Sequence, residues 1–118
     1  VHVLLTGETS GYYVDFAEPG TLAKVLQCGY ALDGAYSRHR KTSHGSPFGA
    51  LPRDRLVAYI QSHDQVGNRA AGERLHQLAG VERARIAAAM LFVAPFVPML
   101  FQGEEMGRIV AVLLFLRS

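Results

Sequence analysis

Cysteine is nearly absent from this chain, tryptophan is missing altogether, and neither sign of charge dominates. The single cysteine, Cys28, excludes an intrachain disulfide, which fits a cytoplasmic protein. It has no paired Cys and no neighbouring His, so it reads as a buried, inert thiol rather than a nucleophile or metal ligand. Twelve Lys and Arg face ten Asp and Glu, a formal net charge of +2. That balance implies neither nucleic acid nor a membrane surface as partner. Basic residues do gather at Arg38, Arg40, Lys41, Arg53 and Arg55, opposed only by Asp54, and read as a solvated loop. The apolar tail at 109–116 is eight residues, far short of the ~20 that span a bilayer. Residues 1–5 lack a preceding basic stretch, so no signal peptide is expected. The glycines at 7, 11, 67 and 72 do not fall at a phosphate-loop spacing.

What is present is a packable chain. Its 118 residues, 49% hydrophobic and 19% charged, suit one domain with one core. Its focus is an apolar run, Leu56, Val57, Ala58, Tyr59 and Ile60, that ends abruptly in His63, Asp64, Gln65, Asn68 and Arg69. A short apolar run of this kind predicts a strand buried on both faces, as in a parallel sheet. Polar groups just past the carboxyl end of such a strand sit where α/β folds hold ligands.

Around it the pattern alternates. Residues 1–5 end a helix or open a strand, and a turn-rich loop follows. Asp15 is a candidate cap for a helix over 17–27, with Gly29 its stop. Residues 34–52, rich in Gly, Ser, Pro and basic side chains, predict a long loop. Residues 65–78 predict a turn and a short helical piece bearing Leu75 and Leu78. Residues 81–94 are Ala-rich between Gly80 and Pro95 and predict a helix whose later turns are deeply buried. Pro98, Met99, Leu100 and Phe101 predict a short buried strand, and Gln102, Glu104 and Glu105 form a second polar cluster past its end. Strand, helix, strand is the order of a parallel βαβ unit.

Chemically, Asp64 is open to three roles: general base, nucleophile, or stabiliser of a developing cation. A plain alternative is that it caps the turn after the strand. His63 beside it suits hydrogen bonding to substrate hydroxyls. A His-Asp pair also occurs in metal-dependent phosphohydrolases, but His44 and His76 lack the setting to complete such a site. Glu104 and Glu105 suit a divalent ion or sugar hydroxyls, but a helix N-terminus or a structural brace is the preferred reading. Tyr12, Tyr13 and Tyr36 suit sugar stacking or ordinary packing.

The stretch from Val57 to Arg69, centred on His63, Asp64, Gln65, Val66, Gly67, Asn68 and Arg69, resembles the seventh-strand signature of the α-amylase superfamily of glycoside hydrolases. With Gly72, Glu73, Arg74 and Leu75 it is most similar to the malto-oligosyltrehalose trehalohydrolase family. Leu4, Leu5, Thr6, Gly7 and Glu8, with Gly11, Tyr12, Tyr13, Val14, Asp15 and Phe16, resemble that family after its sixth barrel strand. Residues 98–105 resemble its eighth. The resemblance implies an α/β fold: part of a (β/α)8 TIM barrel, contributing the seventh and eighth strands with flanking helices. It implies residues 1–107 as the C-terminal part of the catalytic barrel and 108–118 as an atypical apolar tail. The implied activity is hydrolysis of the α-1,4 bond beside the terminal trehalose unit of malto-oligosyltrehalose. Another superfamily activity, amylase or branching enzyme, and a non-catalytic sugar-binding fragment stay open. By the motif match Asp64 stabilises the transition state, while His63 and Gln65 bind substrate; no metal or cofactor is implied. The family's nucleophilic Asp and acid/base Glu belong to earlier strands, so the expected reading is an inactive fragment. The implied partner is malto-oligosyltrehalose or another α-glucan, with no nucleic acid and no membrane. Self-association through uncovered barrel edges is the physical expectation.

Overall fold

A computed structural model describes residues 1–106; the apolar tail at 108–118 lies outside the described residues. Helix α1 (His2–Thr6) ends at Gly7, and a 3-10 turn (Gly11–Phe16) follows. Helix α2 (Thr21–Cys28) starts four residues later than the sequence predicts, after Pro19 and Gly20. Asp15 does not cap it. Its carboxylate accepts from the Ser37 hydroxyl (2.5 Å) and the His39 amide (3.2 Å), which holds its pKa below the usual carboxylate value. Gly29 does stop the helix, at φ 88°, a conformation that favours glycine. Cys28 is exposed on the last turn, which corrects the expectation of a buried thiol.

The long loop predicted at 34–52 is in part a β-hairpin: β1 (Asp33–Ser37) pairs antiparallel with β2 (Thr42–Gly45). Its strands are polar and mostly exposed, so they carry no alternation from which to read it. The turn closes through the Lys41 amide on the Ser37 carbonyl (2.8 Å), with Lys41 at φ 57°. At Gly45 a Cβ would come within 2.0 Å of the Leu32 carbonyl oxygen, so the hairpin requires glycine there.

The centre is a parallel pair, β3 (Val57–Ala58) with β4 (Val97–Pro98). Val97 and Met99 amides donate to the Leu56 and Ala58 carbonyls, both at 2.8 Å. Pro98 falls between those donors, where its missing N–H would point away from β3, so it costs the ladder nothing. Between the strands lie α3 (His63–Gly67), α4 (Leu75–Ala79) and α5 (Val81–Val93). The predicted order and parallel sense are both found.

Burial differs from prediction. Ile60, Leu75, Ala87 and Leu91 form the core, with Leu5, Ala58, Ala79 and Ala88 against it. Ile60 faces inward, but Val57 and Tyr59, on the other face, are 57% and 44% exposed. The central strand is therefore covered on one face only. Likewise α5 buries Ala87 and Leu91, while Ile86, Phe92 and Val93 are exposed. Met99 and Leu100 are exposed too, so the second strand is not buried. The reason is common to all three: each apolar face lacks an opposing layer among the described residues.

Candidate active site

The polar turn after β3 is built by Ser62 rather than Asp64. Ser62 is the N-cap of α3, and its oxygen accepts from the Asp64 amide (3.3 Å). Gln65 completes a capping box: its side-chain oxygen accepts from the Ser62 amide (2.8 Å) and hydroxyl (2.6 Å). Val66, 1% exposed, anchors the helix to the interior. With the cap supplied by Ser62, the Asp64 carboxylate is spared local backbone work. It lies 70% exposed on the first turn, with the Nε2 of His63, itself 63% exposed, 3.2 Å away. Ser62→Ala is expected to cost about 1 kcal/mol, read by urea denaturation.

Of the other predicted residues, Asn68 is exposed beside this turn, whereas Arg69 points away from it. Arg69 Nη1 donates to Glu8 Oε2 (3.1 Å), and its Nε lies 3.5 Å from Glu73 Oε2. Glu8 also meets His2 Nε2 at 2.8 Å. The His2 ring stacks on Tyr13 (4.4 Å), and Tyr12 tilts against Tyr13 (4.3 Å). Burial, then Tyr12, drive the Tyr13 hydroxyl pKa upward, keeping it protonated. Tyr36 sits apart on the hairpin, exposed. Glu104 is the brace: it accepts from Gln61 Nε2 (3.1 Å) and from the Phe101 amide (2.9 Å). Among the described residues no three His, Cys, Asp or Glu side chains gather as a metal site.

No protein-family model matches the chain. It is similar to malto-oligosyltrehalose trehalohydrolases from Saccharolobus solfataricus (47% identical over 107 residues) and Arthrobacter ramosus (50% over 108), each match covering 91% of this chain. A Deinococcus radiodurans relative of the same name is 40% identical over 87% of the chain. The chain is homologous to one segment of the malto-oligosyltrehalose trehalohydrolases. It spans about one fifth of their length, 19% for the first two and 18% for the third. A solved Salmonella typhimurium structure, provisionally named an alpha amylase, superposes on 90% of this chain with TM-score 0.86 and 45% identity, using 18% of its own chain. The fold described here is therefore an α/β portion found in an amylase-type chain, without a closed barrel among the described residues.

Two buried side chains to which the sequence assigned no role tie the start of α4 to the strand ends. Gln61, 4% exposed, takes the Leu75 amide on its oxygen (3.0 Å) while donating to Glu104. Arg74, 2% exposed, lies over the Phe101 ring (4.8 Å) and donates to the Gln102 carbonyl (2.8 Å). A polar residue at the end of an apolar run was the available signal for Gln61. Arg74 stands in the family motif, but its burial is not legible there, because its partners Phe101 and Gln102 lie 27 and 28 positions away.

The Glu8 cluster carries a pH signature. The His2 hydrogen bond, with help from Arg69, lowers the Glu8 pKa from its ordinary 4.5. A depressed carboxylate stabilises the fold fully above its unfolded value and loses that contribution as pH falls through the folded one. Glu8→Gln is expected to be less stable than the parent chain at pH 7. The gap should close below pH 4.5, which thermal melts at several pH values would measure.

Proposed function

We propose that this chain carries the transition-state-stabilising part of a trehalose-releasing glycoside hydrolase. The observation behind this reading is Asp64: a carboxylate exposed at the carboxyl end of a parallel strand, relieved of capping by Ser62 and flanked by His63. In this reading β3 and β4 are the seventh and eighth strands of a (β/α)8 barrel. Its substrate is malto-oligosyltrehalose, cleaved at the α-1,4 bond beside the terminal trehalose unit.

Hydrolysis with retention passes through an oxocarbenium-like transition state between two carboxyl groups, a nucleophile and an acid/base. Both belong to earlier strands of the family's barrel. Asp64 adds a third negative charge to stabilise the cation, and His63 donates to sugar hydroxyls. Gln65 has its oxygen engaged by Ser62, so its amide N–H groups are what it can offer a sugar. One carboxylate cannot replace the other two, so the 118-residue chain alone is inactive.

The decisive experiment grafts residues 1–107 into the Arthrobacter ramosus relative in place of its matched segment. Trehalose release from malto-oligosyltrehalose supports the proposal. Cleavage of plain malto-oligosaccharides at equal efficiency would replace it with a general amylase reading. Trehalose released by the isolated chain would overturn the division of roles.

A further inference from the structure

The turn that carries Asp64 is held at its two ends by different parts of the chain. Helix α3 has five residues, too few to be stable by itself. The Ser62 and Gln65 box fixes its start. Its end reaches back to Asp64: the Asn68 amide donates to the Asp64 carbonyl (3.2 Å), and the next residue is Arg69. The Arg69 side chain ties this end to Glu8, 61 positions away in the chain, through Nη1 to Oε2 at 3.1 Å. Glu8 is itself placed without help from Arg69. Its amide donates to the Thr6 hydroxyl (3.2 Å), which donates to the His2 carbonyl (2.9 Å), and its carboxylate meets His2 Nε2 (2.8 Å). Arg83 secures α1 to α5 by donating from Nη1 to the Leu5 carbonyl (2.9 Å). On its other side Arg69 Nε faces Glu73 Oε2 at 3.5 Å, both buried atoms without a hydrogen-bond partner among the described residues. One guanidinium thus stands between two carboxylates, which suits a planar fork better than a flexible ammonium.

We infer that Arg69 is a positioning residue for the proposed reaction: its bond to Glu8 fixes the far end of the α3 turn and so sets where the Asp64 carboxylate stands against the sugar. The inference rests on the hydrolase reading for what Asp64 does, and adds what keeps Asp64 in place. Arg69 spends its donors on Glu8 and Glu73 and acts on the reaction through the backbone it anchors. A carboxylate stabilises a developing cation only while the distance between them is held, and a displacement of about 1 Å is enough to cost about 10²-fold in rate. The Asp64 side chain is exposed, so packing around it does not supply that precision. The backbone on either side of it does, through Ser62 at one end and Arg69 at the other. A lone exposed ion pair would be too weak for this task. Arg69 and Glu8 are only 26% and 31% exposed, and His2 and Glu73 join them in one network.

The test is a kinetic cycle in the graft of residues 1–107 into the Arthrobacter ramosus relative. Arg69→Met is expected to lower kcat for trehalose release by about 10–10²-fold, with KM changed little. Arg69→Lys keeps the charge but offers a single point donor to two carboxylates, and should fall between Met and the parent. The deciding readout is the same pair of changes made in an Asp64→Asn background. A residue that acts by placing the Asp64 charge has nothing left to place there, so each change should alter kcat by less than about twofold. A residue that only stabilises the fold would cost the same factor in both backgrounds. Where circular dichroism shows that Arg69→Met does not fold, Arg69→Lys carries the cycle. Two results would overturn the inference: kcat of Arg69→Met within about twofold of the parent, or equal losses with and without the Asp64 charge. If the parent graft releases no trehalose, the hydrolase reading fails on its own, and the clamp is read in the full 118-residue chain. There Arg69→Met should speed amide exchange at Asn68 at least about tenfold and leave Lys41, in the hairpin turn, unchanged. Unchanged exchange at Asn68 would overturn the clamp as well.

Discussion

Asp64→Asn in the grafted barrel is expected to lower kcat for trehalose release by about 10²–10³-fold or more, with KM changed little. The magnitude is that of removing one group aimed at charge that develops only in the transition state, about 2.7–4 kcal/mol. Asn keeps the size and hydrogen-bonding reach of the side chain and deletes only its negative charge. Ground-state sugar is neutral, so binding is insensitive to that charge, whereas the oxocarbenium-like transition state is not. The local structure favours a clean experiment. Ser62 and Gln65 hold the turn, Val66 anchors it, and the Asp64 side chain is 70% exposed, so the substitution removes no buried contact. His63→Ala should act differently: raising KM as well as lowering kcat, because a donor to sugar hydroxyls serves both states. Glu105→Gln, exposed in the second polar cluster, should leave both constants near the parent values. Equal activity of Asp64→Asn and the parent graft, measured on malto-oligosyltrehalose, would remove Asp64 from the site.

The contrast between these carboxylates shows where sequence reasoning succeeded. Helix α5 was legible because Gly80, an Ala-rich run and Pro95 are local signals acting through backbone entropy and a missing donor. Gly29 was legible as a stop for the same kind of reason. The parallel β3–β4 pair followed from two apolar runs separated by a helix, since such strands need a crossover between them. Glu104 takes the brace role, one of the two structural readings that the second polar cluster allows. The failures concern who lies next to whom. The hairpin of β1 and β2 has no apolar face, and its fold hangs on Gly45 beneath the Leu32 carbonyl and on Asp15 tying down Ser37, a contact 22 residues apart. The expected burial of Val57, Phe92 and Val93 is a statement about neighbours, and apolar character alone cannot supply them. Cys28 is exposed for a related reason: it closes α2 on a face that no described element covers.

Gln61→Leu tests whether the two polar clusters form one structural unit. Gln61 sits where β3 ends, accepts from the Leu75 amide that opens α4, and donates to the Glu104 carboxylate, which also accepts from Phe101 just past β4. One buried carboxamide thus ties together both strand ends and a helix start. Leu has similar bulk and no polar atoms. It leaves the Leu75 amide without its acceptor and the Glu104 carboxylate without one of its two donors. The stranded, buried Leu75 amide costs about 1–3 kcal/mol and the half-buried Glu104 carboxylate, which keeps the Phe101 donor, adds less, so the expected loss is about 2–4 kcal/mol. That lowers the melting temperature by roughly 10–20 °C for a domain near this size. Gln61→Glu separates the two bonds. Its oxygen still accepts from Leu75, but it now faces Glu104 as a like charge, so destabilisation should be large at neutral pH and shrink as acid protonates one of the pair. Combining Gln61→Leu with Glu104→Met should cost less than the sum of the single changes, because the bond between the two side chains is then lost only once. Additive losses in that cycle would mean that the two ends are braced independently, and that the position of the Asp64 turn owes nothing to the second strand.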